Sequence, residues 1–176
     1  MKILSIIVFC LLSISLHTNA QTPEQPLAEP LAKFQGFLGN WQSEMLMDDG
    51  KTKVTDVALW ERALNGKAIR STHSIDNGMY GGEMLLFWDK AQSSLVFYYF
   101  TTADFYTKGT IEVVSDNSFI AYEDVKGSQQ GITKVKSTST LVDGNMLVTT
   151  SYLKKGEWTK PESRTYKPSE RKVIFK

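Results

Sequence analysis

The chain has 176 residues, with 20 Lys and Arg against 19 Asp and Glu, two His, one Cys and a hydrophobic content of 41%. That length points to one domain with room for a sizeable core. A formal charge of +1 removes the electrostatic case for nucleic acid or an anionic membrane as partner, and one Cys with two His supplies neither a disulfide framework nor a common zinc cage.

Residues 1–20, MKILSIIVFCLLSISLHTNA, follow the order of a secretory signal peptide. Lys2 supplies the charged start, residues 3–16 the apolar stretch, and Thr18-Asn19-Ala20 a small-x-small cleavage site. The stretch is short for a membrane span, and Cys10 sits inside it rather than at the cleavage junction, which argues against a lipoprotein anchor. Lys2 is the one charged residue of this segment. A chain cut after Ala20 therefore has 156 residues, 19 basic and 19 acidic, no cysteine, and His73 as its sole histidine. Such a chain folds without oxidation, and no Asn-x-Ser/Thr acceptor is present; both suit a periplasmic or secreted bacterial protein. Residues 21–30 carry Pro23, Pro26 and Pro30 without periodic apolar spacing, which predicts a flexible leader.

A brief helical signal follows. Leu31, Phe34 and Phe37 (or Leu38) recur at three- and four-residue steps, with Pro30 in the first turn and Gly36 and Gly39 limiting the length. From there, short runs rich in Val, Ile, Thr and aromatics predict ten strands: 41–47, 53–64, 68–75, 81–89, 95–101, 105–115, 119–125, 133–141, 146–153 and 158–167. Asp49-Gly50, Asn65-Gly66, Asn77-Gly78, Asp143-Gly144 and Lys155-Gly156 separate them, and such pairs favour tight hairpins because both central residues tolerate positive φ. The expectation is an all-β, up-and-down antiparallel barrel of about ten strands over residues 31–167, with a short N-terminal helix and a tail at 168–176. Closure removes the edges that an open ten-stranded sheet would expose. Leu95–Phe100 and Met84–Trp88 are apolar on both faces, so their outer face needs cover from the helix, a loop or a second subunit, which makes a homodimer one expectation.

Phe37-Leu38-Gly39-Asn40-Trp41 resembles the opening motif of the calycins, the lipocalin and fatty-acid-binding-protein group. The chain as a whole resembles a secreted bacterial domain-of-unknown-function family with a lipocalin-like barrel, through Leu-x-Gly-x-Trp, the Trp60…Leu64-Asn65-Gly66-Lys67 hairpin and the terminal Arg164-x-Tyr166 strand. The resemblance implies that Gly39 turns the chain into the first strand, that Trp41 plugs the closed end, and that Arg164 packs across Trp41 in a cation–π contact. It also implies an alternative in which Arg164 and Tyr166 hold a ligand carboxylate.

His73 carries the third alternative, since some related ten-stranded barrels bind haem through one histidine. In those relatives, however, the ligand lies near the C-terminal end of the barrel, and His73 is in the third strand. Met45, Met47, Met79, Met84 and Met146 read as core filler. Arg70 and His73 fall on opposite faces of one strand, so at most one reaches the lumen. Trp60, Phe87 and Tyr99 belong to an aromatic set suited to lining a cavity for a small hydrophobic or amphipathic molecule. Asp48-Asp49-Gly50 and Gly78-x-x-Gly81-Gly82 read as turns, and Glu123 and Asp124 point to opposite faces. No catalytic constellation is found, so the sequence argues for binding rather than for an enzyme, with a filled, oligomerising barrel as the competing role. In that role the run Lys172-Val173-Ile174-Phe175 adds to a neighbour or lies over the barrel.

Overall fold

Strand alternation governs the architecture. In residues 53–63, Val54, Asp56, Ala58 and Trp60 share one face, and this period recurs down the chain. The computed structural model describes residues 25–47 and 49–176; the signal-peptide reading of residues 1–20, with Cys10 and His17, lies outside them.

A nine-residue 3-10 helix, Glu29–Phe37, precedes eleven strands: β1 (Gly39–Leu46), β2 (Lys53–Ala63), β3 (Ala68–Ile75), β4 (Tyr80–Asp89), β5 (Ser94–Thr101), β6 (Tyr106–Ser115), β7 (Ser118–Lys126), β8 (Ile132–Val142), β9 (Asn145–Lys154), β10 (Glu157–Trp158) and β11 (Glu162–Pro168). Every pairing is antiparallel. Consecutive strands pair from β1 to β9, and β11 pairs with both β9 and β1, so ten strands close into a barrel. The expected all-β, up-and-down barrel with a short N-terminal helix is the observed fold. The last expected strand is broken into β10 and β11, both on β9. Their registers differ by one residue across 159–161, where Pro161 has no N–H to give the ladder.

Asp143-Gly144 and Lys155-Gly156 form two-residue hairpins with positive φ at both positions, as expected. The Asn65-Gly66 and Asn77-Gly78 connections run to four residues instead, because positive φ extends back to Leu64 and Asp76. Gly81 and Gly82 belong to β4, as the strand expected over 81–89 has them, rather than to the turn that Gly78 makes.

The helix closes one end of the barrel rather than covering its outside. Leu31, Phe34 and Phe37 are buried, and the Phe34 and Phe37 rings lie 5.1 and 4.9 Å from Phe119. Burying three such side chains contributes on the order of 2 kcal/mol each. Trp41 seals the seam, with Nε1 donating to the Phe37 carbonyl at 2.9 Å. The leader begins to order earlier than expected: Leu27 is buried in the core and the Ala28 N–H donates to the Gly66 carbonyl.

The double-sided apolar runs are answered in register. On the outer face Phe87 sits between Ala68 and Val96, and Leu85 lies opposite Tyr98. The tail lies along the barrel's own outer wall. Ser169 hydrogen-bonds Asn40 and Gln42, and Ile174 N–H donates to Ser74 Oγ at 3.1 Å. Among the described residues no helix is long and apolar enough to cross a membrane.

Candidate functional site

The barrel encloses a cavity of about 410 Å³. Its polarity changes along the axis. At the helix end the walls are mostly apolar, built by Trp60, Phe97, Ile111 and Phe119, with Ser71 opposite Trp60 and Ser139 opposite Phe119. Farther out, toward a rim that includes Met45, Phe105, Ser128 and Ile132, a belt of polar side chains lines the same space. Alternation brings them inward from five strands: Asp56 from β2, His73 from β3, Tyr80 from β4, Tyr99 from β5 and Glu123 from β7.

One hydrogen-bond network joins most of this belt. His73 Nδ1 lies 3.0 Å from Asp56 Oδ1, and His73 Nε2 lies 2.6 Å from the Tyr99 hydroxyl. That hydroxyl is 3.2 Å from the Tyr80 hydroxyl, and Tyr166 donates to Asp56 Oδ2 at 2.8 Å. Asp56 is 2% exposed. Two donors on its two oxygens offset the loss of water that a buried carboxylate suffers. Burial pushes the Tyr99 and Tyr166 hydroxyls far above the ordinary phenol range, and those of Tyr80 and Tyr152 above it.

A glycine positions Tyr99. Gly82 pairs with His73 across β3–β4, and a Cβ there would fall 2.4 Å from the Tyr99 ring. The missing side chain lets the phenol lie along the wall and reach the imidazole.

Glu123 stands apart from the network. It is walled in by the barrel, takes a hydrogen bond from Thr107 Oγ1 at 2.8 Å on Oε2, and faces the cavity. Burial pushes its carboxyl above the usual carboxylate range, opposed by the Thr107 hydrogen bond.

Among the residues singled out in the sequence, Trp60, His73, Tyr99, Arg164 and Tyr166 line the cavity together. Phe87 does not, because it alternates with inward Leu86 and faces outside beside Val96. Gly39, at φ +132°, makes the bend into β1. Arg164, expected across Trp41, lines the cavity beside Tyr152 and Tyr166 instead, and among the described residues the cations over rings are Lys108 on Tyr98 and Lys136 on Tyr122. The expected Arg164–Tyr166 clamp is incomplete, since the Tyr166 proton is already given to Asp56. Arg70 is on the outer face, paired with Glu61. No group of three or more His, Cys, Asp and Glu among the described residues is placed to hold a metal ion. His73, the expected haem alternative, has Asp56 on Nδ1 and Tyr99 on Nε2.

Sequence reasoning passed over Asp56, Tyr80 and Tyr152 and left Glu123 without a role. The signal was present in the alternation: Asp56 shares its face with Ala58 and Trp60, and Glu123 with Phe119 and Ala121.

The barrel has a counterpart among solved structures. The crystal structure of Rv2717c from M. tuberculosis matches it with a TM-score of 0.58 at 8% sequence identity, over 82% of this chain and 99% of that one. The likeness is one of fold. No family model matches the chain, and no curated protein is significantly similar to it.

Proposed function

We propose that the chain is an exported, lipocalin-like barrel that binds one small amphipathic molecule in its lumen, apolar end first. The observation that carries this reading is the polarity gradient along the cavity: mainly aromatic and aliphatic walls at the helix end, then a belt of hydroxyl, imidazole, carboxyl and guanidinium groups below the rim. The order of residues 1–20 supports export, and Leu-x-Gly-x-Trp with the Arg164–Tyr166 strand supports a lipocalin-like kinship. The role is binding rather than catalysis. The one histidine of residues 21–176 is held between Asp56 and Tyr99, and burial makes Tyr99 a poor source of tyrosinate.

The test is to express residues 21–176, extract and identify co-purified material by native mass spectrometry, and titrate a hydrophobic fluorophore. One bound fluorophore per chain, lost when Ala121→Trp fills the lumen, is the expected result. A barrel that carries and binds nothing overturns the reading.

A second reading, an interaction module, rests on the outer wall. There the Tyr98, Phe100 and Tyr106 rings stack with centroids 6.4 and 6.1 Å apart, and Phe100 is 57% exposed. Sedimentation of the same protein separates it: a stable homodimer that dissociates on Phe100→Lys supports the module.

A further inference from the structure

Between Tyr80 on β4 and Glu123 on β7 the polar belt presents acceptors to the cavity, while Tyr152 on β9 and Arg164 on β11 bring donors to it. A carboxylate at Asp56 can only accept, so His73 Nδ1 donates to it, and in that single-proton tautomer Nε2 is an acceptor. Tyr99 therefore donates its hydroxyl proton to Nε2. With that proton spent, the 3.2 Å contact between the two phenols has Tyr80 as donor and Tyr99 as acceptor. The chain of donors runs one way, from Tyr80 through Tyr99 and His73 to Asp56, and Tyr166 ends on the same carboxylate from the other side. At its open end the Tyr80 oxygen is left with lone pairs and no proton to give.

Glu123 adds a second acceptor of stronger kind. Its Oε2 takes the Thr107 hydrogen bond, and Oε1 has no hydrogen-bond donor among the described residues. The field of this carboxyl reaches the Tyr80, Tyr99 and Tyr152 hydroxyls, so it borders the same part of the belt. No ion pair joins Glu123 to Arg164, which lies on β11 with β8 and β9 between them. The Arg164 guanidinium stands beside Tyr166 and acts on Tyr152. Glu123 has no ion-pair partner among the described residues.

We propose that the belt recognises a protonated primary amine, the head group of the apolar ligand, seated between Glu123 and Tyr80 with its chain directed toward Trp60 and Phe119. An ammonium carries three donors and no acceptor, which matches a Tyr80 lone pair and a Glu123 oxygen. The Tyr99 ring, whose hydroxyl contacts that of Tyr80, favours a cation over an anion. At Tyr80 and Glu123 a carboxylate head meets the reverse, lone pairs against lone pairs, and one held by Arg164 instead is the outcome in which octanoate displaces best. This assignment rests on the lumen being the binding site.

Octylamine, octanol and octanoate, used below their micellar concentrations at pH 8, test it by displacement of a lumen-bound fluorophore. Octylamine is expected to displace about tenfold more effectively than octanol, with octanoate weakest. Glu123→Gln keeps the shape and removes the charge; it is expected to bring octylamine level with octanol. Tyr80→Phe, as an independent second variant, is expected to weaken octylamine severalfold. Melting curves of both variants establish that they are folded. If octanol or octanoate displaces the probe as well as octylamine does, or if Glu123→Gln leaves the octylamine preference intact, the amine assignment is overturned while the lumen remains a binding site. Failure of all three to displace anything overturns the lumen reading, and the amine assignment with it.

Discussion

The Tyr166 hydroxyl donates to Asp56 Oδ2 at 2.8 Å, and so links β11 to β2 past the intervening β1. The two residues are 110 positions apart in sequence, and this contact is formed only when the barrel closes. Tyr166→Phe keeps the ring and leaves one oxygen of a buried carboxylate without its donor. The variant should lose about 1–3 kcal/mol of unfolding free energy in urea. An unchanged midpoint would mean that water replaces the phenol at no cost.

Glu123 predicts an unusual pH dependence. Its folded-state carboxyl is raised above the unfolded value by burial. At low pH both states hold the proton, and the group is neutral in effect. As pH rises through the window between the two values, the unfolded chain releases its proton before the native one does, so stability falls. Asp49, Asp89 and Asp124 are lowered by their hydrogen bonds and act in the opposite direction, so the parent must be compared with Glu123→Gln. The stability gained by the variant should be absent at acid pH, grow by at most about 1.4 kcal/mol per pH unit across the window, and then level off. A gain that shrinks as pH rises would show the carboxylate to be stabilising.

Phe34→Ala tests the helix as the floor of the barrel. Phe34 is 1% exposed and packs on Phe37 and Phe119. Loss of the ring should cost about 3–5 kcal/mol, read from thermal or urea unfolding. A loss below about 1 kcal/mol, the size of a surface change, would mean that the barrel end is closed without it.

Gly82→Ala places a methyl group 2.4 Å from both the Tyr99 ring and the Phe100 carbonyl. The strand must shift or the phenol must leave His73. The expected result is a loss of about 1–3 kcal/mol, with a displaced His73 ring resonance in the NMR spectrum. A stable variant with an unmoved His73 signal would show that Tyr99 does not depend on this gap.

The barrel was legible because its signals are local and repeat. Period-two alternation and Gly-containing turns mark each strand, and a single closed sheet is the arrangement that satisfies all of them. The errors were equally local. Asn65-Gly66 and Asn77-Gly78 identified hairpins correctly, but positive φ at Leu64 and Asp76 is not written in those residues. The site was half legible. Arg164 and Tyr166 share an inward face, as strand geometry requires, yet the partner of Tyr166 is Asp56, whose place opposite it depends on closure of the whole barrel. The network from Tyr80 to Asp56 joins four separate strands, and no spacing along the chain announces it.

For the ligand proposed above, the floor made by Phe34, Phe37, Trp60 and Phe119 would make the lumen a ruler. A head group fixed in the polar belt leaves a set depth beneath it, and each methylene that descends into that depth adds about 0.8 kcal/mol. Once a chain touches the rings, the next carbon has nowhere to go. Affinity in a homologous series should therefore climb in even steps and stop at one length, and that length is written by the N-terminal helix together with the two strand residues it packs on, Trp60 and Phe119.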